Sequence, residues 1–297
     1  MASTAILVAQ RTLTCFLFAL ALQPAASARA QQAATPAPAA STSPTQSDSS
    51  ESLDLVPDFN VPLSPQEWFS IEDEVTSSYD HLAGSSNTIN LRAQFPFGRL
   101  GKKLPATLLT RRHLQLIKIK LPFVTSAPAG AVKGNGDTTL WFLQYLGVAD
   151  RKWVYGPLLK IPTASVNELG SGRWSGGPAA GYTYTHGSTA IGVYTETYVS
   201  FAGPKSRGPI TQTQIQPGLF FTSPRGWLVG TSSMQFLYNW QKSAWQNVPL
   251  GFRVERFTQN DHRLLIVGLE IEKNLANVQN TTQWTFRLDA KYRLPAQ

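Results

Sequence analysis

From residue 88 to residue 294 the chain repeats one pattern: apolar and polar side chains alternate, stretch after stretch. A period of two sends successive side chains to opposite faces of an extended strand, so the pattern commits these stretches to β-structure. In TINLRAQF (88–95), Ile89, Leu91, Ala93 and Phe95 share one face, and Thr88, Asn90, Arg92 and Gln94 share the other. Further on, Ile117, Ile119, Leu121 and Phe123 oppose Lys118 and Lys120. The last stretch sets Trp284, Phe286, Leu288, Ala290 and Tyr292 against Gln283, Thr285, Arg287, Asp289 and Lys291. Segments at 138–147, 153–161, 179–186, 190–201, 210–221, 227–238, 247–257 and 263–272 bring the total to eleven, and little competing helical period interrupts them. The reading is an all-β fold.

A soluble sandwich and a membrane barrel both satisfy alternation, and length and charge placement separate them. Sandwich strands average about 5–6 residues, whereas a tilted spanning strand needs ~9–11 residues, an apolar outside and a polar inside. These segments are long and carry charged side chains in mid-strand. Only 15% of residues are charged, as expected where half of each strand faces lipid. Closure is also one of only two ways to pair every backbone group in a bilayer. The expected fold is a transmembrane antiparallel up-and-down β-barrel.

Connections support this. Short turns are expected at 148–152, 186–189, 223–226 and 259–262, and longer loops at 125–137, 162–178, 202–209, 239–246 and 274–281. They alternate as periplasmic turns and external loops do, the exception being 96–112. Both termini on one side require an even strand count. Twelve strands are expected, with an upward strand inside 53–86 around 67–75; ten is the alternative.

The N-terminus reads as an export leader over 1–30, with Arg11, the apolar run 13–22 and a small-residue cleavage site at Ala28-Arg29-Ala30. Residues 31–50 consist of Ala, Pro, Ser, Thr and Gln with one Asp, and are expected to be a disordered linker. The acidic segment 51–86 follows, as a periplasmic tether, a plug or a first strand, and 87–297 is the barrel. The only cysteine, Cys15, falls in the leader, so the expected mature chain has neither a disulfide nor a Cys-ligated metal. The net charge of +8 conceals an opposition. Nine acids and no Lys or Arg lie between Asp48 and Asp80, whereas residues 81–297 hold 24 basic residues and nine acids. Seven of those basic residues lie in 99–120. An exported chain has a use for them other than nucleic acid, and no nucleic-acid partner is expected. The acidic segment is instead expected to dock on Arg99–Arg112 or to enter the lumen.

On the polar faces of three consecutive strands stand Arg253 and Glu255, then Glu270 and Glu272, then Arg287, Asp289 and Lys291. These are the candidate lumen or constriction residues, since rings of charge set pore selectivity; a neutralising network filling a narrow interior is the alternative. Gln212, Gln214 and Gln216 form an uncharged lumen stripe. Trp141, Trp153, Tyr155, Tyr198, Trp227, Tyr238, Trp240, Trp245 and Trp284 are expected in interfacial girdles. Lys133, Arg173, Lys205, Arg207, Lys242 and Lys273 are expected in external loops, facing lipopolysaccharide phosphates. His186-Gly187-Ser188 superficially resembles a hydrolase pair but falls at a turn, and no GxSxG, HExxH or phosphate-binding loop occurs.

Several stretches carry a resemblance: Gly136-Asp137, LLKIPTASVNELGSGRWSGGPA (158–179), YVSFAG (198–203), QIQPGLFFTSPRGW (214–227) and WQNVPLGFRVERF (245–257). Over 136–294 the chain resembles a family of Gram-negative outer-membrane barrels labelled transporters, or relatives of a protein of the meta-cleavage pathway of phenol degradation. The resemblance implies an outer-membrane barrel passing small apolar or aromatic molecules, and it transfers no catalytic residues. The chain ends YRLPAQ, without the C-terminal Phe or Trp common in such barrels. The expected function is passive small-molecule transport across the outer membrane, with lipid and lipopolysaccharide as surroundings, no cofactor and no enzymatic activity. A closed structural or adhesive barrel and an outer-membrane hydrolase are the alternatives.

Overall fold

The computed structural model describes residues 67–79, 84–96, 114–127, 132–148, 150–260, 263–276 and 282–293. The leader, the 31–50 linker, the acidic stretch up to 66 and the basic stretch 99–112 lie outside them.

Twelve strands build the wall. They are β1 (Trp68–Tyr79), β2 (Ser86–Pro96), β3 (Leu114–Ser126), β4 (Thr138–Val148), β5 (Arg151–Ile161), β6 (Trp174–His186), β7 (Thr189–Ala202) and β8 (Thr211–Ser223). Then come β9 (Trp227–Thr231 and Phe236–Asn239), β10 (Ala244–Asn247 and Pro249–Asn260), β11 (Arg263–Asn274) and β12 (Thr282–Arg293). Each pairs antiparallel with the next, and β1 pairs with both β2 and β12, which closes the barrel and leaves no edge. The strand sought inside 53–86 is β1. Its odd positions Phe69, Ile71 and Val75 face outward at 43%, 51% and 36% exposure, while Glu72 and Thr76 face inward at 1%. Strands β4 and β5, β6 and β7, β8 and β9, and β10 and β11 meet at one end, and the loops 162–173 and 203–210 lie at the other.

Two details depart from the sequence reading. The longer loop expected at 239–246 is a tight hairpin, because Phe236–Asn239 and Ala244–Asn247 pair with each other. The segment 227–238, expected to be continuous, is broken at 232–235. There Met234 has φ 28°, and the chain leaves the wall for the interior, with Ser232, Ser233 and Met234 all buried. Two carboxylates inside the barrel, Glu270 and Glu272, accept the hydrogen bonds this departure frees.

The outer face is apolar, as lipid demands: Phe221, Val229, Phe252, Val267, Leu269 and Leu288 are all more than 40% exposed. The interior is not uniformly polar. Leu116, Leu143, Val154, Tyr194, Phe220, Leu228, Phe257, Leu264 and Ile266 point inward and form one buried cluster in the short-turn half. In β11 both faces are apolar at that end, so alternation alone does not show which half of the lumen is wet.

Candidate functional site

The lumen has three levels, each set by the strand positions that reach it. Near the short turns lies the apolar cluster, edged by Trp68, whose ring has Lys291 Nζ at 5.4 Å and Lys118 Nζ at 6.0 Å. Cations held over an aromatic face gain from its quadrupole.

The middle level is ionic. Register brings Arg253 of β10 opposite Glu270 of β11, and Glu270 opposite Arg287 of β12. Arg253 pairs with Glu270 and lies 3.2 Å from Glu255. Arg287 reaches three carboxylates: Glu74 through Nε at 2.7 Å, Glu272 through Nη1 at 2.7 Å, and Glu270 at 3.3 Å. On the other side of the closure, Arg92 of β2 donates both terminal nitrogens to Glu72 of β1, at 2.9 and 2.6 Å. Asn90 Nδ2 donates to the same carboxylate at 2.8 Å. The structure thus places all seven candidates, Arg253, Glu255, Glu270, Glu272, Arg287, Asp289 and Lys291, inside the barrel at 8% exposure or less. It joins the first five in one network through Arg253 and Arg287.

The β9 break completes this level. Ser233 donates its N–H to Glu270 Oε2 at 3.0 Å and its hydroxyl to Oε1 at 3.1 Å, while Met234 donates its N–H to Glu272 Oε1 at 2.8 Å. Backbone donors that have left the ladder need partners, and carboxylates are strong ones. The interrupted strand is therefore held inside the barrel by the residues that the alternation places there.

Above, toward the long-loop end, lies a cavity of about 480 Å³. Arg92, Lys118, Lys120 and Lys160 line one side, and Gln212, Gln214 and Gln235 another. The glutamine stripe faces inward as expected, with Gln216 buried beneath it. Trp141 and Tyr198, expected in a girdle, are instead lumen residues. Both donate to Glu196, Trp141 from Nε1 at 3.1 Å and Tyr198 from its hydroxyl. Trp227, Trp240, Trp245 and Trp284 do face outward at 37–47% exposure.

The loop 162–173 folds over the mouth. Asp137 Oδ2 accepts from the N–H and the hydroxyl of Ser171, both at 2.7 Å. Arg173 donates to the carbonyls of Pro204 (3.1 Å) and Arg207 (2.9 Å), and Arg207 donates to that of Asn167 (2.9 Å). These two guanidiniums clip loops together, a use not foreseen in placing them among lipopolysaccharide contacts. The glycines of LGSGRWSGG are required by close approach. A Cβ on Gly170 would lie 2.4 Å from Asp137 Oδ1, and one on Gly177 would lie 2.0 Å from the Thr197 carbonyl.

The sequence reading missed Glu72, Glu74, the Ser233–Met234 crossing and the basic side of the cavity as site residues. The first two carry the same period-two signal as β12, in a segment read mainly for its charge. His186 and Ser188 flank Gly187 in an exposed turn, where Gly187 has φ 57°. No described hydrogen bond joins the imidazole to the Ser188 hydroxyl.

The barrel is similar in fold to an outer membrane channel from Pseudomonas putida F1, with 19% identity over 76% of this chain and 93% of that one and a TM-score of 0.53. It is also similar to outer membrane phospholipase A from Escherichia coli, with 9% identity over 77% and 92% and a TM-score of 0.44. Neither a protein-family model nor a curated protein matches the sequence. The likeness is one of fold: this chain is a closed twelve-stranded barrel with an apolar outside and a charged centre.

Proposed function

We propose that this protein is a channel of the Gram-negative outer membrane, exported by its leader, through which small molecules with apolar or aromatic bodies diffuse passively. The observation that carries this reading is the 480 Å³ cavity set above a network of buried charges on β10–β12, β1 and β2, inside an apolar-faced barrel. An aqueous entry leading to a charged constriction is how pores sort solutes. Arg253, Glu270, Glu272 and Arg287 are the constriction, with Glu255, Asp289 and Lys291 beside it. The long-loop end faces the medium and carries Lys133, Lys205, Lys242 and Lys273 toward lipopolysaccharide phosphates.

The apolar cluster in the short-turn half favours a second reading, a filled barrel with a structural role. Planar-bilayer recording separates the two. Discrete conductance steps are expected from the purified protein, altered in ion selectivity by Arg253→Ala with Arg287→Ala. Bilayers that stay silent with correctly folded protein would refute transport and leave the structural role. A hydrolase reading has no support in the His186–Ser188 geometry, and esterase activity abolished by Ser188→Ala would be needed to revive it.

A further inference from the structure

Strand register aligns one row of inward side chains at the height of the cavity. Arg92 is opposite Lys120, Lys120 opposite Thr139, Thr139 opposite Lys160, and Lys160 opposite Ser175. All five line the cavity. Five consecutive strands thus present three cations and two hydroxyls, with no acid among them, spaced about 4.8 Å from strand to strand.

The partners of these groups differ. Arg92 is held by Glu72. Among the described residues neither Lys120 nor Lys160 has a carboxylate within 4 Å. Ser175 Oγ is fully buried and has no hydrogen-bond partner among them either. Three carboxylates also line the cavity. Asp137 holds the loop through Ser171, Glu196 accepts from Trp141 and Tyr198, and Glu168 is exposed in the loop itself. Two ammonium groups and a buried hydroxyl therefore line one space large enough for a small molecule. One position below Thr139 along β4, Trp141 lays its indole in the same cavity, with Lys118 Nζ 4.9 Å from its ring. Leu237 and Ile210 line the far side.

We propose that this row is a docking site for a small organic anion, a carboxylate carrying an aromatic or similarly flat apolar body. The carboxylate takes ammonium hydrogen bonds from Lys120 and Lys160 and the Ser175 hydroxyl, and the body lies against Trp141. Such charge-assisted bonds are stronger than neutral ones and exclude cations of the same shape. This inference rests on the channel reading above, because it names the class of solute that the external mouth admits.

Calorimetric titration of the folded, detergent-solubilised protein with benzoate, benzylammonium and benzyl alcohol tests it without needing transport. Benzoate is expected to bind more tightly than either analogue. Lys120→Gln with Lys160→Gln is expected to weaken it at least about tenfold, the factor corresponding to one charged hydrogen bond. Lys120→Arg with Lys160→Arg is expected to retain binding within about threefold, and heat-modifiable mobility on gels verifies that each variant is a closed barrel. Benzylammonium binding as tightly as benzoate, or benzoate binding unchanged in the double Gln variant, would overturn the site. Bilayer recording on the same samples keeps the two claims apart. Conductance without benzoate binding sinks the anion site and spares the channel. Benzoate binding in a barrel that never conducts sinks the channel and spares the site.

Discussion

Replacing Arg287 by Met keeps an unbranched apolar stem and removes the one cation that, among the described residues, Glu272 holds at close range. Arg287 makes three carboxylate contacts, and they are not equally replaceable. Glu270 retains Arg253, and the Glu74 side chain is 29% exposed, so water reaches it. The Glu272 side chain is 4% exposed and, among the described residues, retains only the Met234 N–H at 2.8 Å. Leaving a buried charge uncompensated costs about 3–5 kcal/mol, and the surviving backbone donor places this case at the lower end, about 3 kcal/mol. The second substitution, Glu272→Gln, needs no cation and still accepts from Met234. Introduced into Arg287→Met it removes the uncompensated charge and is expected to recover at least about 1 kcal/mol, whereas alone it leaves Arg287 short of an acceptor and destabilises. The coupling in a double-mutant cycle is then above about 1 kcal/mol, within the range found for residues in one network. Urea unfolding in phospholipid vesicles, followed by tryptophan fluorescence, reads all four corners. Additive effects, or an Arg287→Met barrel within about 0.5 kcal/mol of the original, would refute the view that these charges depend on each other. The filling would then be wet enough to screen them.

Other expectations follow from the same geometry. Asp137→Asn weakens the grip on Ser171, and Gly170→Ala drives a methyl into Asp137; both are expected to raise conductance and current noise as the 162–173 loop loosens, measured in single-channel traces. Phe220→Ala, at a position 1% exposed in the apolar cluster, opens a cavity costing on the order of 3 kcal/mol and raises conductance if that cluster limits flow; a stability loss with unchanged conductance places the constriction elsewhere. Gly226→Ala puts a side chain where φ is 76° and the Phe257 carbonyl is 2.9 Å from the new Cβ; a loss of about 1–2 kcal/mol is expected by urea unfolding.

The β-barrel class, the outward apolar band and the inward placement of the seven charged side chains were legible in the sequence because each follows from a local rule. Side chains alternate on a strand, a lipid-facing position tolerates no unpaired charge, and mid-strand charges must point the other way. Trp141 and Tyr198 show where that rule stops. An aromatic near a strand end suits a girdle or a lumen equally, and only the hydrogen bonds of both side chains to Glu196 show that these two are inside. β1 was visible as a gap in the strand count. That Glu72 and Glu74 answer the excess of basic residues across the closure with β2 and β12 required knowing which strands meet after some two hundred residues of chain. The same holds for the Arg92–Lys120–Thr139–Lys160–Ser175 row, which no stretch of sequence contains, since register between strands comes from the closed sheet as a whole. The inward crossing at 232–235 is the clearest case. Nothing in Ser-Ser-Met-Gln breaks a strand by its own propensity strongly enough to be read. What draws it inward is the pair of carboxylates on β11, two strands away around the barrel, which only tertiary structure brings within reach. Local chemistry determined what each strand shows to lipid, and closure of the sheet decided which charges meet inside.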